Sequence, residues 1–352
     1  QFGKKMAQKT QSKNALAFIF ATVVLDTIGI GIIFPIMPDL LSDLGYNNIA
    51  EAAMWAGFLS ACYAFMQFLF SPIVGTISDA FGRRKIILVA LLAMCVDYMI
   101  LGFSGALWVL FLGKLVAGIT GSTIPTATAY LADISSEKER AKNFGLIGAA
   151  FGIGFIFGPL IGGLLGEISP RAPFFMSAFL AGMNFLFGFF VLPESLPTNR
   201  RRGISLMDLN PFRSLIKVFA NESFRIIFLC IFLVQIGNWV YPSVWSFWAK
   251  ANFSWTTSMI GVSLAAYGVG IAFVQGVVIR HKKVENFGPR KVIIFCLLIG
   301  AFALSGFGSI SSGWLVFVLI PLAALSEMFD PTIKAYLSNQ VETNKQGELQ
   351  GI

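Results

Sequence analysis

Apolar residues run in long blocks along this chain, separated by short polar loops. Ten blocks of roughly 17–25 residues can be marked, the length at which a helix crosses a hydrocarbon core ~30 Å thick. They are approximately Ala15–Met37, Met54–Ile77, Ile86–Phe103, Leu107–Leu131, Phe144–Leu165, Pro173–Leu192, Phe224–Phe247, Ser258–Ile279, Val292–Gly308 and Trp314–Tyr336. The pattern predicts an all-α polytopic membrane protein. Lys4, Lys5, Lys9 and Lys13 precede the first block, which is too long for the apolar region of a cleavable signal and is expected to be a first span.

Composition agrees with the pattern. The 352 residues are 56% hydrophobic and 12% charged, with 36 Phe and 35 Gly, where soluble proteins carry about 25% charged residues. A net charge of +8 invites a nucleic-acid reading, but that requires basic residues gathered on one soluble face. Here they recur in short loops between apolar runs, so nucleic acid is excluded as a partner and the lipid bilayer takes its place. All but four of the 26 Lys and Arg residues fall in the N-terminal tail, in alternate loops, or after the last span. The exceptions are Arg171, Lys250, Lys114 and Lys334. The positive-inside rule then places both termini in the cytoplasm.

Catalytic and metal chemistry find no materials. Cys62, Cys95, Cys230 and Cys296 lie inside apolar runs at no metal-ligand spacing, and His281 is the only histidine. No His-based metal site or catalytic dyad can be assembled, so neither an enzyme nor a cofactor is expected.

The longest polar stretch, Pro193–Ser223, divides six spans from four. It predicts an N-terminal bundle over 1–193, a cytoplasmic linker over 194–222 and a C-terminal bundle over 223–352. Within the linker, Asn210–Phe219 has the spacing of a short surface helix, with Phe212, Leu215, Ile216 and Phe219 on one side. An internal echo supports the division: Glu285-Asn286-Phe287-Gly288-Pro289-Arg290-Lys291 repeats Asp79-Ala80-Phe81-Gly82-Arg83-Arg84-Lys85. Parallel repeats of this kind place a substrate site near midplane between the halves.

Several motifs resemble one transporter family. Gly75-x-x-x-Asp79-x-x-Gly82-Arg83-Arg84 is similar to the loop between the second and third spans of the major facilitator superfamily, though Ala80 stands where that family usually has Arg. Leu25-Asp26-Thr27-Ile28-Gly29-Ile30-Gly31 with Pro35 and Pro38, Gln67, Val96-Asp97-Tyr98 and Val116–Gly121 look like the tetracycline/proton antiporters of that superfamily. So do Ala129–Ile134, Gly158-Pro159-Leu160-Ile161-Gly162-Gly163 and Pro193-Glu194-Ser195. The second half matches more loosely, at Gln235, Trp245, Gln275, Gly313–Phe317 and Gln346–Gly351. The resemblance implies major facilitator bundles of twelve spans, of which ten (six and four) are present. The chain is then either truncated or a ten-span member with a reduced second bundle. It also implies a small-molecule substrate, protons as driving partner, a monomer, and a bacterial-type inner membrane.

Charges inside spans are the candidate site residues, because each costs roughly 2.5–3.5 kcal/mol at a helix centre on insertion scales. Asp26 lies about halfway along its span; a structural hydrogen bond competes with a transport role, and the resemblance implies the latter. Asp97 and Lys114 lie within about two turns of the loop joining their helices, at 1.5 Å per residue, and are expected to pair. The pair reads either as a static bridge or as part of coupling and substrate contact. The resemblance adds Gln67 and Gln235.

Gly154, Gly158, Pro159, Gly162 and Gly163 resemble the motif of superfamily exchangers, a small-residue face that also has a plain packing reading. The resemblance makes Gly75, Asp79, Gly82, Arg83 and Arg84 a gating loop that latches the bundles; Arg83 and Arg84 also read as positive-inside anchors. Two positions depart from the pattern. Gly300 stands where tetracycline exporters carry an acid tied to proton coupling, and Ile271 where some carry histidine. The tenth span instead holds Glu327, Asp330 and Lys334, spaced i,i+3 and i,i+4 and so expected on one face. This cluster either replaces the missing acid, reads a charged substrate, or neutralises itself.

The reading that fits most of these features is a proton-coupled exporter of drugs or amphipathic small molecules working by alternating access. An importer or facilitator of a charged metabolite is the first alternative. A non-transporting receptor or partner-binding protein is the second.

Overall fold

The computed structural model describes residues 2–121, 123–135, 137–201, 203, 209–212, 222–279 and 281–338. Of the expected linker helix, 213–219 lie outside these residues, as does Gln346–Gly351. Among the described residues the regular structure is helical throughout, with no strand.

The first half contains α1 (Phe2–Asp43), α2 (Ile49–Phe81), α3 (Arg83–Phe103), α4 (Leu107–Thr120), α5 (Thr123–Ile134), α6 (Glu137–Ile168) and α7 (Ala172–Val191). The second half contains α8 (Glu222–Phe253), α9 (Thr257–Phe273, continued by a π turn Val274–Val278), α10 (Lys282–Phe287), α11 (Pro289–Ser309), α12 (Trp314–Ser326) and α13 (Phe329–Ser338). Among the described residues, eight stretches have the length and hydropathy of a span. The remaining two predicted spans are also helical: the seventh lies inside α8, and the fourth is divided between α4 and α5.

Proline explains both midspan breaks. Pro125 and Pro331 have no N–H to offer the carbonyls four residues earlier, those of Gly121 and Glu327. The helix ends at each of these residues: Gly121 N–H still makes the helical bond to Ala117 O at 2.7 Å, whereas Glu327 N–H makes the tighter bond to Ala324 O at 3.1 Å. The fourth helix of each half is therefore interrupted at a corresponding place. The echo in the loops is also structural. Gly82 (φ 105°) and Gly288 (φ 76°) each precede a helix in backbone that disfavours a side chain.

Helix α1 is central, with 61% of its apolar window buried inside the protein, whereas α2 has only 6%. Large apolar side chains such as Phe190, Ile168, Phe103 and Trp314 face outward, as a lipid-facing surface requires.

Helix α6 touches both halves. Its i,i+4 row Gly154, Gly158, Gly162 and Gly166 lies on α1: Gly154 against Thr27, Gly158 against Gly31 and the Ile28 carbonyl, Gly162 against the Ile32 backbone, and Gly166 against Ile36. On its other side, Pro159 and Gly163 meet Gly261 of α9. Bare Cα atoms let these backbones approach to a distance no larger residue permits.

Replacing Gly162 with Val drives a side chain into the Ile32 backbone and is expected to cost about 1–3 kcal/mol. Gly148, where an added Cβ meets nothing within 4 Å, is the control. Thermal unfolding of the purified protein in detergent should fall for Gly162→Val and stay put for Gly148→Ala; equal midpoints would contradict this account of α6.

Candidate functional site

The intramembrane polar groups of the first half gather where α1 to α4 meet. Asp26 is buried, and its Oδ1 has no hydrogen-bond partner among the described residues. A buried carboxylate without a partner is costly as a charge. The Tyr98 hydroxyl from α3 lies against the bare Cα of Gly29, one turn further along α1. From α2, Gln67 Nε2 donates to the Gly121 carbonyl at 3.2 Å, the group that Pro125 leaves free. A side chain at Gly121 would meet the Tyr63 hydroxyl at 2.8 Å and Gln67 Nε2 at 3.3 Å. The broken helix and α2 thus fit together through a glycine.

Asp97 and Lys114 lie close enough to interact electrostatically, yet the expected ion pair is not formed: no nitrogen–oxygen contact within 4 Å joins them. Helix phase is the reason. Gly113, one residue and about 100° around α4 from Lys114, is the residue that faces the Asp97 carboxylate, with Oδ1 2.9 Å from where a Cβ would stand. Lys114 Nζ instead sits 5.9 Å from the centre of the Tyr63 ring, a cation–π distance.

In the second half the expected cluster divides. Asp330 Oδ2 pairs with Lys334 Nζ at 2.5 Å, and Asp330 Oδ1 accepts from Gln235 Nε2 of α8 at 3.4 Å. Glu327 lies on the far side of the helix break, so it does not continue the face of Asp330 and Lys334. It accepts from the Tyr267 hydroxyl of α9 at 2.6 Å. Gly300 of α11 lies opposite Ser326, with a Cβ there only 3.2 Å from Ser326 Cβ.

The charged loop is anchored within its own half. Arg83 binds Asp79 at 2.6 Å, Asp133 at 3.2 Å and Ser78 Oγ at 2.7 Å. The backbone N–H of Arg83, exposed at the start of α3, is taken by Glu194 Oε1 at 2.9 Å. Glu194 does what a capping side chain would do, since Gly82 has none. Arg84 bonds the Phe189 carbonyl at 2.7 Å, and Gly75 has open space around it.

Polar contacts join the halves at the other end of the bundle. Asp39 of α1 pairs with Lys250 of α8 and accepts from the Thr257 hydroxyl of α9. Ser246 Oγ donates to the Phe34 carbonyl at 2.6 Å, and the Ser258 N–H at the start of α9 reaches Glu167 at 3.3 Å. These hydrogen bonds and this ion pair joining the halves are all at the end away from the basic loops. Sequence reasoning missed Asp39, Glu167, Tyr63, Tyr98 and Tyr267 as participants. Lys250 was visible as one of two bases on the sparsely charged side, but its partner lies more than two hundred residues away.

Comparison with known proteins agrees with this architecture. The family whose sequence pattern matches residues 19–352 is described as the Major Facilitator Superfamily. The class C tetracycline resistance protein of Escherichia coli is 38% identical over 341 residues, covering 97% of this chain and 85% of that one. The class B protein of Escherichia coli is 36% identical, covering 94% and 81%. Multidrug resistance protein 2 of Bacillus subtilis (strain 168) is 29% identical, covering 97% and 84%. Among solved structures, the human organic anion transporter MFSD10 (TETRAN) superposes with a TM-score of 0.70 at 22% identity, covering 97% of this chain and 89% of that one. At that identity the likeness speaks for the fold.

The Asp39–Lys250 pair is partly exposed, a setting in which such pairs contribute up to ~1 kcal/mol. Lys250→Ala should reduce the population closed at this end by about fivefold. Spin labels at Asp43 and Asn252 would read this as a longer distance component; unchanged distributions would show that the pair does not hold the closure.

Proposed function

The chain belongs to the Major Facilitator Superfamily, and from that premise we propose that it is a secondary active transporter that exports a drug or amphipathic small molecule in exchange for protons. The observation that carries this reading is Asp26: a carboxylate buried midway along the central helix, with an oxygen unpartnered among the described residues. A charge in hydrocarbon is retained at a cost only where it is used. A proton or a polar group of the substrate would complete its hydrogen bonding. Tyr63, Gln67, Tyr98, Asp97 and Lys114 surround the same meeting point of helices and offer both donors and acceptors. The names of the tetracycline and multidrug resistance relatives favour a drug as substrate.

Alternating access needs two rigid bundles and a reversible seal. The bundles are assigned to residues 1–193 and 223–352, joined by the cytoplasmic linker 194–222. In this reading the glycine and proline face of α6 is the bearing between them. The Asp39, Lys250, Thr257 and Glu167 contacts are the seal on the outer side. The basic loops, with both termini, lie in the cytoplasm, and the membrane is the bacterial inner membrane. The Arg83–Asp79–Asp133–Glu194 network stiffens the first bundle and holds the loop ready to meet the second. The reading takes the protein as a monomer.

A second reading, import or facilitation of a charged metabolite, is favoured by one observation: the Asp330–Lys334 pair and Glu327 add charge to the second half. The direction of flux under a pH gradient separates the two.

Inverted membrane vesicles containing the chain, energised acid inside, are expected to accumulate tetracycline, and Asp26→Asn to reduce that uptake to background at unchanged protein level. Uptake that ignores the pH gradient, or survives Asp26→Asn, would refute the exchange mechanism around Asp26.

A further inference from the structure

The second half carries its own polar group at a helix break, built differently from that in the first. In the first half, the break at Gly121 presents a backbone carbonyl, and α2 answers with the Gln67 amide. In the second, the break at Glu327 presents a carboxylate, and α9 answers with the Tyr267 hydroxyl. An amide on a carbonyl is indifferent to pH. A hydroxyl on a carboxylate is not, because the carboxyl can take up a proton and become a donor itself.

The surroundings single out Glu327. Its neighbour Asp330 is already satisfied by Lys334 and Gln235. No basic nitrogen comes within 4 Å of Glu327 among the described residues. The groups that face it are the Tyr267 hydroxyl from α9, Cys296 from α11 and Asp330 from α13, with Lys334 behind Asp330. Cys296 Sγ is directed to the Leu325 carbonyl at 3.8 Å rather than to the carboxylate. Behind Tyr267 lies Tyr241 of α8, its ring centre 4.7 Å away. The Tyr241 hydroxyl is buried and has no hydrogen-bond partner among the described residues. A second polar side chain, unsatisfied among the described residues, is thus buried beside the first.

We propose that Glu327 is a proton-binding carboxyl of the second half and that Tyr267 is its positioning residue, so that proton binding changes how the broken tenth span is held against α9. The proton comes from water and returns to it, and no other bond changes. The consequence lies in packing. α9 is the helix that meets α6 through Gly261 and starts at the Thr257 and Ser258 contacts that join the halves. A change at Tyr267 therefore acts on an element that also forms the seal. This inference rests on the reading of the chain as a proton-driven transporter, and it adds a second protonatable site to the one assigned to Asp26.

The test is a pH titration of the purified, lipid-reconstituted protein by infrared difference spectroscopy, following the C=O stretch of protonated carboxyl groups. Glu327→Gln should remove one component of that band. Tyr267→Phe should keep the component but shift its frequency and its titration midpoint, because the hydrogen bond is gone while the carboxyl remains. A band unchanged in Glu327→Gln would overturn the proposal. If that variant does not fold, an unchanged spectrum in Tyr267→Phe would overturn it equally. The readout needs no transported molecule, so its outcome is independent of whether tetracycline is carried.

Discussion

Close contact between helix backbones is the constraint on which the other features of this protein depend. In a bilayer the lipid tails are as apolar as leucine, so helices are not driven together by exclusion from water. They hold where their surfaces fit. The row Gly154, Gly158, Gly162 and Gly166 gives α6 a groove into which α1 settles, and Gly163 with Pro159 gives it a second contact on α9. One helix of the first half thereby becomes the shared surface of both. At Gly158, Gly162 and Gly163 the contact is backbone against backbone, while Thr27 and Ile36 side chains fill the space left by Gly154 and Gly166. The polar contacts at Asp39, Glu167 and Ser246 then set where the halves are joined.

Electrostatics divides the charged residues by depth. Toward the helix ends, where water reaches, charges are paired: Arg83 with Asp79 and Asp133, Arg201 with Glu194 at 4.0 Å, Lys250 with Asp39. Within the spans, Asp26, Asp97, Lys114 and Glu327 make no ion pair within 4 Å among the described residues. Ion pairs at depth would be stable and therefore immobile. Leaving these charges without direct ionic partners has a cost that the surrounding helix packing bears.

The two broken helices show how a repeated fold becomes asymmetric. Pro125 and Pro331 break the fourth helix of each half at a matching point. What differs is the residue at the break, glycine in one and glutamate in the other. The neighbouring helix follows suit, with Gln67 in one half and Tyr267 in the other. A common backbone device thus carries two kinds of chemistry.

Much of this was legible in the chain itself. Span positions follow from local properties, because hydrocarbon thickness acts on short segments. The echo of Asp79–Lys85 in Glu285–Lys291 foretold two glycines in the same backbone conformation. Both prolines stood four residues past the carbonyls they release. The partners were not legible. Spacing alone allowed Asp97 to meet Lys114, whereas the rotation of α4 turned Gly113 toward it. The i,i+3 and i,i+4 spacing grouped Glu327 with Asp330 and Lys334, but the interrupted helix sent Glu327 to Tyr267. Asp39 and Lys250 are 211 residues apart, and no local rule joins them. A sequence records which groups each helix carries; how each helix is rotated and which neighbour it meets depend on the simultaneous packing of all the others, and only the tertiary structure decides that.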